Sequence, residues 1–456
     1  MMNQMTLGQI CTACGGTYFG PTENLEKCVE GIAIDSRKIT TDWLFCATIG
    51  ERVDGHSFIE SCYTAGALCC LGEKAPVNEN ASYIQVTSTF QALKDIAEYY
   101  RSTLEIPVVG ITGSVGKTST KEMISSVLGV KYNTLKTAGN FNNEVGLPLT
   151  VFNVRDEHEA AVLEMGISDF GEMHRLSKVA RPNICVITNI GLCHLEFLGD
   201  RDGVLRAKSE IFDFAANGAK AIVNGDDDKL ITLKSRKDLD VTTFGMESSN
   251  DVFAKNVENL GLDGLRCTIS TPVGEFDAHI HIPGMHMVYN ALAGTCVGLA
   301  AGLSLAEIKT GIENAQTISG RNNLIHTENY TIMDDCYNAN PVSMKASLDV
   351  LSTALGRKVA ILGDMGELGA NELALHYTVG EHAAKKNIDL LLCVGTLSEE
   401  IVKGAKAVNP EMNALLFPKK EELLDKLPEL LQKGDSILIK ASHFMQFEKI
   451  VNALQI

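Results

Sequence analysis

A chain of 456 residues is too long for one hydrophobic core, so two to four domains are expected and a single-domain protein is excluded. With 40 basic against 57 acidic residues its net charge is −17, which argues against a nucleic-acid partner, because that role needs a concentrated basic surface to displace counterions from phosphate. Thirteen scattered cysteines, an odd number without the paired spacings of a zinc site or a disulfide scaffold, read as reduced thiols and mostly as small buried apolar groups. The opening stretch MMNQMTLGQICTACGG has no basic segment leading into an apolar run, so no signal peptide is expected. The longest bland apolar stretch, 291–305, is shorter than the roughly 20 residues of a spanning helix. A cytoplasmic protein without membrane insertion follows.

Three textures succeed one another along the chain. Residues 1–102 alternate short strand-like runs with turns (GIAIDSRKI, WLFCATIG, GALCCLG, SYIQV) and end in a helical pattern, TFQALKDIAEYYRSTL, as in a small mixed α/β unit. From IPVVGITG the segment 103–317 alternates strand and helix through AAVLEMG, NICVITNIG and KAIVNGDDD, which implies a parallel sheet covered by helices on both faces. Near ISGRNNLI the pattern resets. Residues 318–456 then run as five tight βα units with strands in YTIMDDC, KVAILGDM, DLLLCVG, NALLFP and DSILIKAS, predicting a Rossmann-like doubly wound domain.

The segment GITGSVGKTSTKEM misses the standard phosphate-loop spacing by one residue, since Ile111 stands where the first glycine belongs and Gly110 and Gly113 flank it. Its physical requirements are still met. Val108 to Thr112 read as a strand; Gly113, Ser114, Val115 and Gly116 let backbone N–H groups turn inward; and a helix from Thr118 onward points its positive end at an anion. Lys117 is placed to reach β/γ-phosphates, and the Thr118 hydroxyl to bind Mg²⁺. The bland alternative is a tight strand-to-helix turn with an exposed lysine. Glu164 closes the apolar run AAVLEMG at a strand's carboxyl end, where it either faces the ligand crevice, holding Mg²⁺ or activating water, or is a solvated strand-end acid. His194 follows NICVITNI in the same way, and taken alone reads as structural. Lys208 in LRAKSEIF binds phosphate, sits on the surface, or carries a carbamate of the opposite charge.

TAGNFNNEVGLP offers Asn140, Asn142 and Asn143 to phosphates or peptide carbonyls, with an asparagine-rich turn as the alternative. DDCYNANPVSM sets Asp334 and Asp335 at a strand end and Asn338 and Asn340 in the loop before a proline-limited helix start, and ILGDMGELG repeats the pattern with Asp364 and Glu367. Two acidic strand ends line one crevice suited to an amine or a ribose; each acid read alone is a helix N-cap.

Taken together, DSRKI, DGHSFIESCYTAGA, TGSVGKTSTKEM, GNFNNEVGLPLT, LEMGISDFGEM, TNIGLCHLEFLGD, AKSEIF, GMHMVYNALAG, SGR, DDCYNANPVSM and GDMGELG resemble the Mur ligase family over essentially the whole chain. The last two resemble the member that joins D-alanyl-D-alanine to UDP-N-acetylmuramoyl-tripeptide. The Asp-Asn-Pro-Arg motif of the member that adds a diamino acid does not occur. The resemblance implies an ADP-forming amide ligase of peptidoglycan precursor synthesis, and so of cell wall formation, shape and division. It further implies ATP and Mg²⁺ as cofactors, an acyl-phosphate intermediate and a monomeric state.

Carried over by position, the resemblance assigns Gly113 to Thr118 to ATP phosphates, and Thr118, Glu164, His194 and a carbamylated Lys208 to metal ions. It gives Asn290 to the nucleotide, Arg321 to a phosphate and Asp335 to the neighbourhood of the ribose. Asp35, Ser36, Arg37, Asp54, Gly55 and His56 fall to the UDP end and Asn142 and Asn143 to the muramoyl substrate passing ATP, and Asn338 and Asn340 are expected to bind substrate. Cys336 and His443 depart from the family pattern, the latter where an arginine is common. Rival readings are a related ligase adding a single amino acid, a ligase of a folate-like acceptor, against which the DSR region speaks, and a nucleotide-driven switch that forms no bond.

Overall fold

The computed structural model describes residues 5–76 and 78–455; residues 1–4, which open the stretch read above for a signal peptide, lie outside the described residues. Three sheets succeed one another along the chain. The first has five strands in the order Thr17–Phe19, Tyr83–Gln85, Cys69–Gly72, Trp43–Cys46, Gly31–Ala33, parallel except at the Thr17–Phe19 edge. The strand read in GIAIDSRKI stops at Ala33, because the Asp35 carboxylate accepts the Arg37 N–H and turns the chain into a 3₁₀ segment, Ser36–Lys38.

Thr89–Ser102 forms the helix expected at the end of the first segment, capped by the Ser88 hydroxyl on the Gln91 N–H. Its buried face, Leu93, Ile96, Ala97 and Tyr100, recurs at helical spacing and lies in one continuous core with Leu7 and Ile10 of the first segment and Phe152 and Leu176 of the second. Arg101, 7 % exposed, fastens the joint by donating to the carbonyls of Ala180, Leu104 and Arg181.

The central sheet has nine strands. Seven run parallel, in the order Val252–Asn259, Asp240–Gly245, Lys220–Asn224, Ile184–Ile187, Val108–Thr112, Ala160–Glu164, Thr134–Lys136. The chain leaves Val108–Thr112 toward one edge and resumes on its other side at Ile184–Ile187, so the carboxyl end of Val108–Thr112 is the topological switch point. The expectation of a wholly parallel sheet is corrected at the far edge, where Val252–Asn259, Leu265–Thr271 and Gly274–Ile280 pair antiparallel. Their burial alternates: along Leu265–Thr271 the side chains of Leu265, Cys267 and Ile269 are buried and those between them are not, the signature of strands with one face in water rather than two faces under helices.

The third sheet runs Asn323–His326, Thr331–Asp334, Ser436–Lys440, Lys358–Gly363, Leu390–Val394, Ala414–Phe417. Its five parallel strands are the five read from the sequence, and the antiparallel edge strand Asn323–His326 is an addition. No helix among the described residues is long and apolar enough to cross a membrane.

Candidate active site

The strand Val108–Thr112 is buried along its whole length and delivers Gly113 to the switch point. Gly113 has φ 152°, and a Cβ there would lie 1.9 Å from Thr188 Oγ1, so no other residue fits. Gly116, at φ 81°, caps the helix Lys117–Leu128. The first intrahelical pairing joins Thr120 N–H to Gly116 C=O at 2.9 Å. The N–H groups of Lys117, Thr118 and Ser119 therefore stay available at the positive end of the helix, the arrangement that binds phosphate. Ser114 and Val115 differ: their N–H groups donate to Asn189 O (3.1 Å) and Asn189 Oδ1 (2.9 Å), while Thr188 Oγ1 and Asn189 Nδ2 donate to Val115 O at 2.8 and 2.9 Å. Thr188 and Asn189 thus brace the loop from the next strand end. Sequence reasoning missed them, although they stand in the TNIG stretch at a strand's carboxyl end, where ligand-side residues gather.

Glu164 ends its strand 2 % exposed and directly beside this loop. Its Oε1 accepts from Thr118 Oγ1 at 3.2 Å and from Asn142 Nδ2 at 2.9 Å, and its N–H donates to Thr137 Oγ1 at 2.9 Å. Glu164 Oε2 is buried and accepts no hydrogen bond. A hydroxyl, a carboxylate and an unsatisfied carboxylate oxygen beside a phosphate loop form a hard-oxygen donor set that fits Mg²⁺, which takes one or two carboxylates and leaves its other positions to water and phosphate. Among the described residues no three His, Cys, Asp or Glu side chains form a site that could hold an ion by themselves.

Lys117, Asn142, Asn143, Glu172 and His194 line a common cavity of about 480 Å³. Within it the Asn143 side chain is turned to the protein, its Oδ1 accepting from Gly146 N–H at 2.8 Å. Lys117 Nζ folds back onto Gly113 O at 2.8 Å, and burial pushes its pKa down against the pull of Glu164. His194 sits at φ 51°, a conformation a histidine rarely adopts, and burial and the charges of Lys208 and Lys117 push its pKa below the usual histidine value. Lys208 is 1 % exposed and has no hydrogen-bond or ion-pair partner among the described residues. Burial, with the repulsion of Lys117, brings its pKa down to about 7.

From the third segment Arg321 reaches the same region, its charge adding to the depression of Lys117. Its guanidinium lies 4.1 Å from the Tyr337 ring centroid and its Nε is buried without a partner; His443 stacks near the same ring at 5.3 Å. Asn290 is tied to the phosphate-loop helix, its Oδ1 accepting from Thr120 Oγ1 at 2.9 Å. The Asp335 carboxylate is held inside the protein by Lys440 Nζ (2.6 Å), Ser347 Oγ (2.6 Å) and Asn322 N–H (3.0 Å). Asn340 caps the helix Pro341–Ser352 by accepting from Ser343 N–H at 2.9 Å, and Asn338 Oδ1 accepts from Ala339 N–H at 2.9 Å. Asp364 Oδ1 accepts from both the N–H and the hydroxyl of Ser398 at 2.7 Å, and so anchors the start of the helix Ser398–Val408.

A second cluster stands at the carboxyl ends of the first sheet. Asp35 pairs with Arg37, whose hydrogen bonds hold its pKa down to about 2, and the Arg37 side chain is 87 % exposed beside Ser36. His56 Nε2 accepts from Glu73 N–H at 2.9 Å, which fixes the tautomer: Nδ1–H donates to Asp54 Oδ1 at 2.7 Å. A Cβ on Gly55 would lie 2.8 Å from Thr48 O, so this turn also requires glycine.

The chain matches the Mur ligase family catalytic domain over residues 29–109, the Mur ligase middle domain over 111–298 and the Mur ligase glutamate ligase domain over 320–443. It is 37 % identical to the UDP-N-acetylmuramoyl-tripeptide--D-alanyl-D-alanine ligase of Bacillus subtilis over 99 % of both chains. A crystal structure of MurF from Acinetobacter baumannii superposes with a TM-score of 0.89 at 33 % identity, over 100 % of this chain and 99 % of that one. The MurF ligase of Thermotoga maritima in complex with ADP gives 0.82 at 28 % identity, over 93 % and 97 %. With three family domains matched in order and a phosphate loop, a buried acid and a cation cluster converging at the switch point, the chain belongs to the Mur ligase family of ATP-dependent, ADP-forming ligases.

Proposed function

We propose that this ligase joins D-alanyl-D-alanine to UDP-N-acetylmuramoyl-tripeptide, with residues 1–102 holding the UDP end, 103–317 the ATP and 318–456 the dipeptide. The observation that carries the reading is the facing of the free N–H groups of Lys117, Thr118 and Ser119 with the buried Glu164 and the amide Asn142. A nucleotide phosphate and a peptide acceptor meet there.

The terminal peptide carboxylate attacks the γ-phosphorus of ATP in line, the bond to the β-bridging oxygen breaks, and ADP leaves behind an acyl phosphate. Lys117 swings from Gly113 O to the transferred phosphoryl group, and Arg321 meets the same charge from the third segment. The dipeptide amine then attacks the acyl carbon, loses a proton, and expels inorganic phosphate. Water must be kept out during this interval, since an acyl phosphate hydrolyses readily. Thr118, Glu164, His194 and Lys208 are the residues that would hold Mg²⁺, which supplies neutralisation of phosphate charge.

Lys208 suits carbamylation. Its neutral amine attacks carbon dioxide and releases a proton, giving an anionic carbamate in place of a buried cation. His194, kept neutral by its surroundings, offers a ring nitrogen rather than a charge. Inorganic phosphate release, measured with a panel of UDP-muramoyl peptides and of amines, tests the reading. Turnover is expected only when UDP-N-acetylmuramoyl-tripeptide and D-alanyl-D-alanine are both present, and Lys117→Ala abolishes it. Turnover with a single amino acid, or survival of activity in Lys117→Ala, refutes it.

A further inference from the structure

Lys121 lies one helical turn beyond Lys117 and has no part in the chemistry above. It is 1 % exposed, and its Nζ donates to Thr137 O at 2.7 Å. The same ammonium stands 3.1 Å from Glu122 Oε1 and 3.9 Å from Glu164 Oε2. Glu122 has a second cation, since Lys136 pairs with its other oxygen. Glu164 has no other ion pair among the described residues, and the nearby Lys117 commits its ammonium to Gly113 O. Lys121 is therefore the cation set against the very oxygen, Oε2, that lacks a hydrogen bond. A buried carboxylate needs such a partner, yet an ammonium beside a metal-binding oxygen also opposes a metal.

We propose that Lys121 is the resident counter-cation of Glu164, a positioning residue that makes capture of a divalent cation conditional on the nucleotide. A bare ion meets a carboxylate already paired and an ammonium that repels its double charge, with little screening in a buried site. An ion carried on a polyphosphate brings compensating negative charge and enters. The Lys121–Thr137 bond fixes the ammonium, while Thr137 Oγ1 accepts the Glu164 N–H, so one residue registers both groups. The inference rests on Glu164 being a metal ligand.

Mn²⁺, followed by electron paramagnetic resonance of the free ion on the full chain, tests this without turnover. Nucleotide-free wild type is expected to bind Mn²⁺ at least about tenfold more weakly than its ADP complex, after correction for binding to free ADP. Nucleotide-free Lys121→Met gains about tenfold, Lys121→Arg restores the wild-type value, and adding Glu164→Gln to Lys121→Met removes the gain. Failure of both Lys121→Met and Lys121→Gln to bind more tightly than wild type overturns the proposal. So does equal binding by wild type with and without ADP, a measurement that needs no variant. Absence of Mn²⁺ binding even with ADP overturns the assignment of Glu164 instead.

Discussion

Asn189→Ala tests whether the phosphate loop is held by its neighbouring strand end. The side chain accepts Val115 N–H at 2.9 Å and donates to Val115 O at 2.9 Å, and truncation removes both bonds while leaving the Ser114 N–H bond to the backbone oxygen. Each such bond contributes about 1 kcal/mol net, so the ordered loop loses about 2 kcal/mol, and a ligand that needs it ordered binds up to roughly 30-fold more weakly. Thr188 Oγ1 still donates to Val115 O at 2.8 Å, so the loop loses order without losing its path. Calorimetric titration of ADP into the variant measures the effect, with the unfolding transition followed in parallel to show that the domain is intact. An ADP affinity within threefold of wild type, in a protein of unchanged stability, would refute the claim that Asn189 pre-orders this loop.

Gly113→Ala places a methyl group 1.9 Å from Thr188 Oγ1, a hydroxyl already committed to Val115 O, so ADP binding should vanish by the same titration. Retained binding would show that the strand end can move aside. Lys208 has a folded pKa of about 7 against an ordinary 10.5, so the amine is free base above pH 7 and a carbamate signal in ¹³C NMR should grow as pH rises through that value. Lys208→Met should give no such signal. Because the unfolded chain binds that proton up to pH 10.5, the unmodified protein should also gain stability as pH rises from about 7 toward 10.5; a flat urea midpoint over that window contradicts it. Lys440→Met leaves Asp335 without a cation beneath Ser347 and Asn322, and should destabilise the third segment by about 2 kcal/mol in urea unfolding. A loss under about 0.5 kcal/mol would show that solvent already serves Asp335.

The five parallel strands of the third segment were legible because each is a short apolar run followed by a helix of 3.6-residue period; the antiparallel edge strand Asn323–His326, which precedes them with no helix between, was not. The phosphate loop was legible despite its shifted glycine because the geometry depends on Gly113 and Gly116, at φ 152° and 81°, rather than on a glycine at position 111. The antiparallel edge at 252–280 was not read, since attention to strand-helix alternation passes over three consecutive strands. Thr188, Asn189 and Lys121 escaped for a different reason: their importance lies in partners 73, 74 and 43 positions away, such as Val115 for the first two and Glu164 for the third, and no local pattern announces those contacts. Asn340 shows the converse, since its side chain simply caps the helix that begins at the next residue, whereas Asp364 caps no helix of its own and instead holds Ser398, 34 positions on.

The site is cation-rich, and that excess adds to burial in perturbing its groups. Burial lowers the pKa of Lys117, Lys208 and His194 alike; Arg321 adds to the effect on Lys117, Lys117 to that on Lys208, and both lysines to that on His194. The buried carboxylate of Glu164 pulls on Lys117, and Lys121 already claims part of it. A polyanion arriving at such a site would relieve the repulsion among its cations. A triphosphate at the free N–H groups of the loop helix does so from one side and a carbamate on Lys208 from the other. Nucleotide binding and modification of Lys208 should therefore reinforce each other, each arriving more readily once the other has reduced the positive field. ADP affinity measured in carbon-dioxide-depleted and in bicarbonate-supplemented buffer gives the sign: with the ADP carried on Mg²⁺, the carbamate should strengthen binding, and in Lys208→Met the two buffers should give the same value. A wild-type affinity independent of bicarbonate would separate the two groups and remove the common cause argued for them.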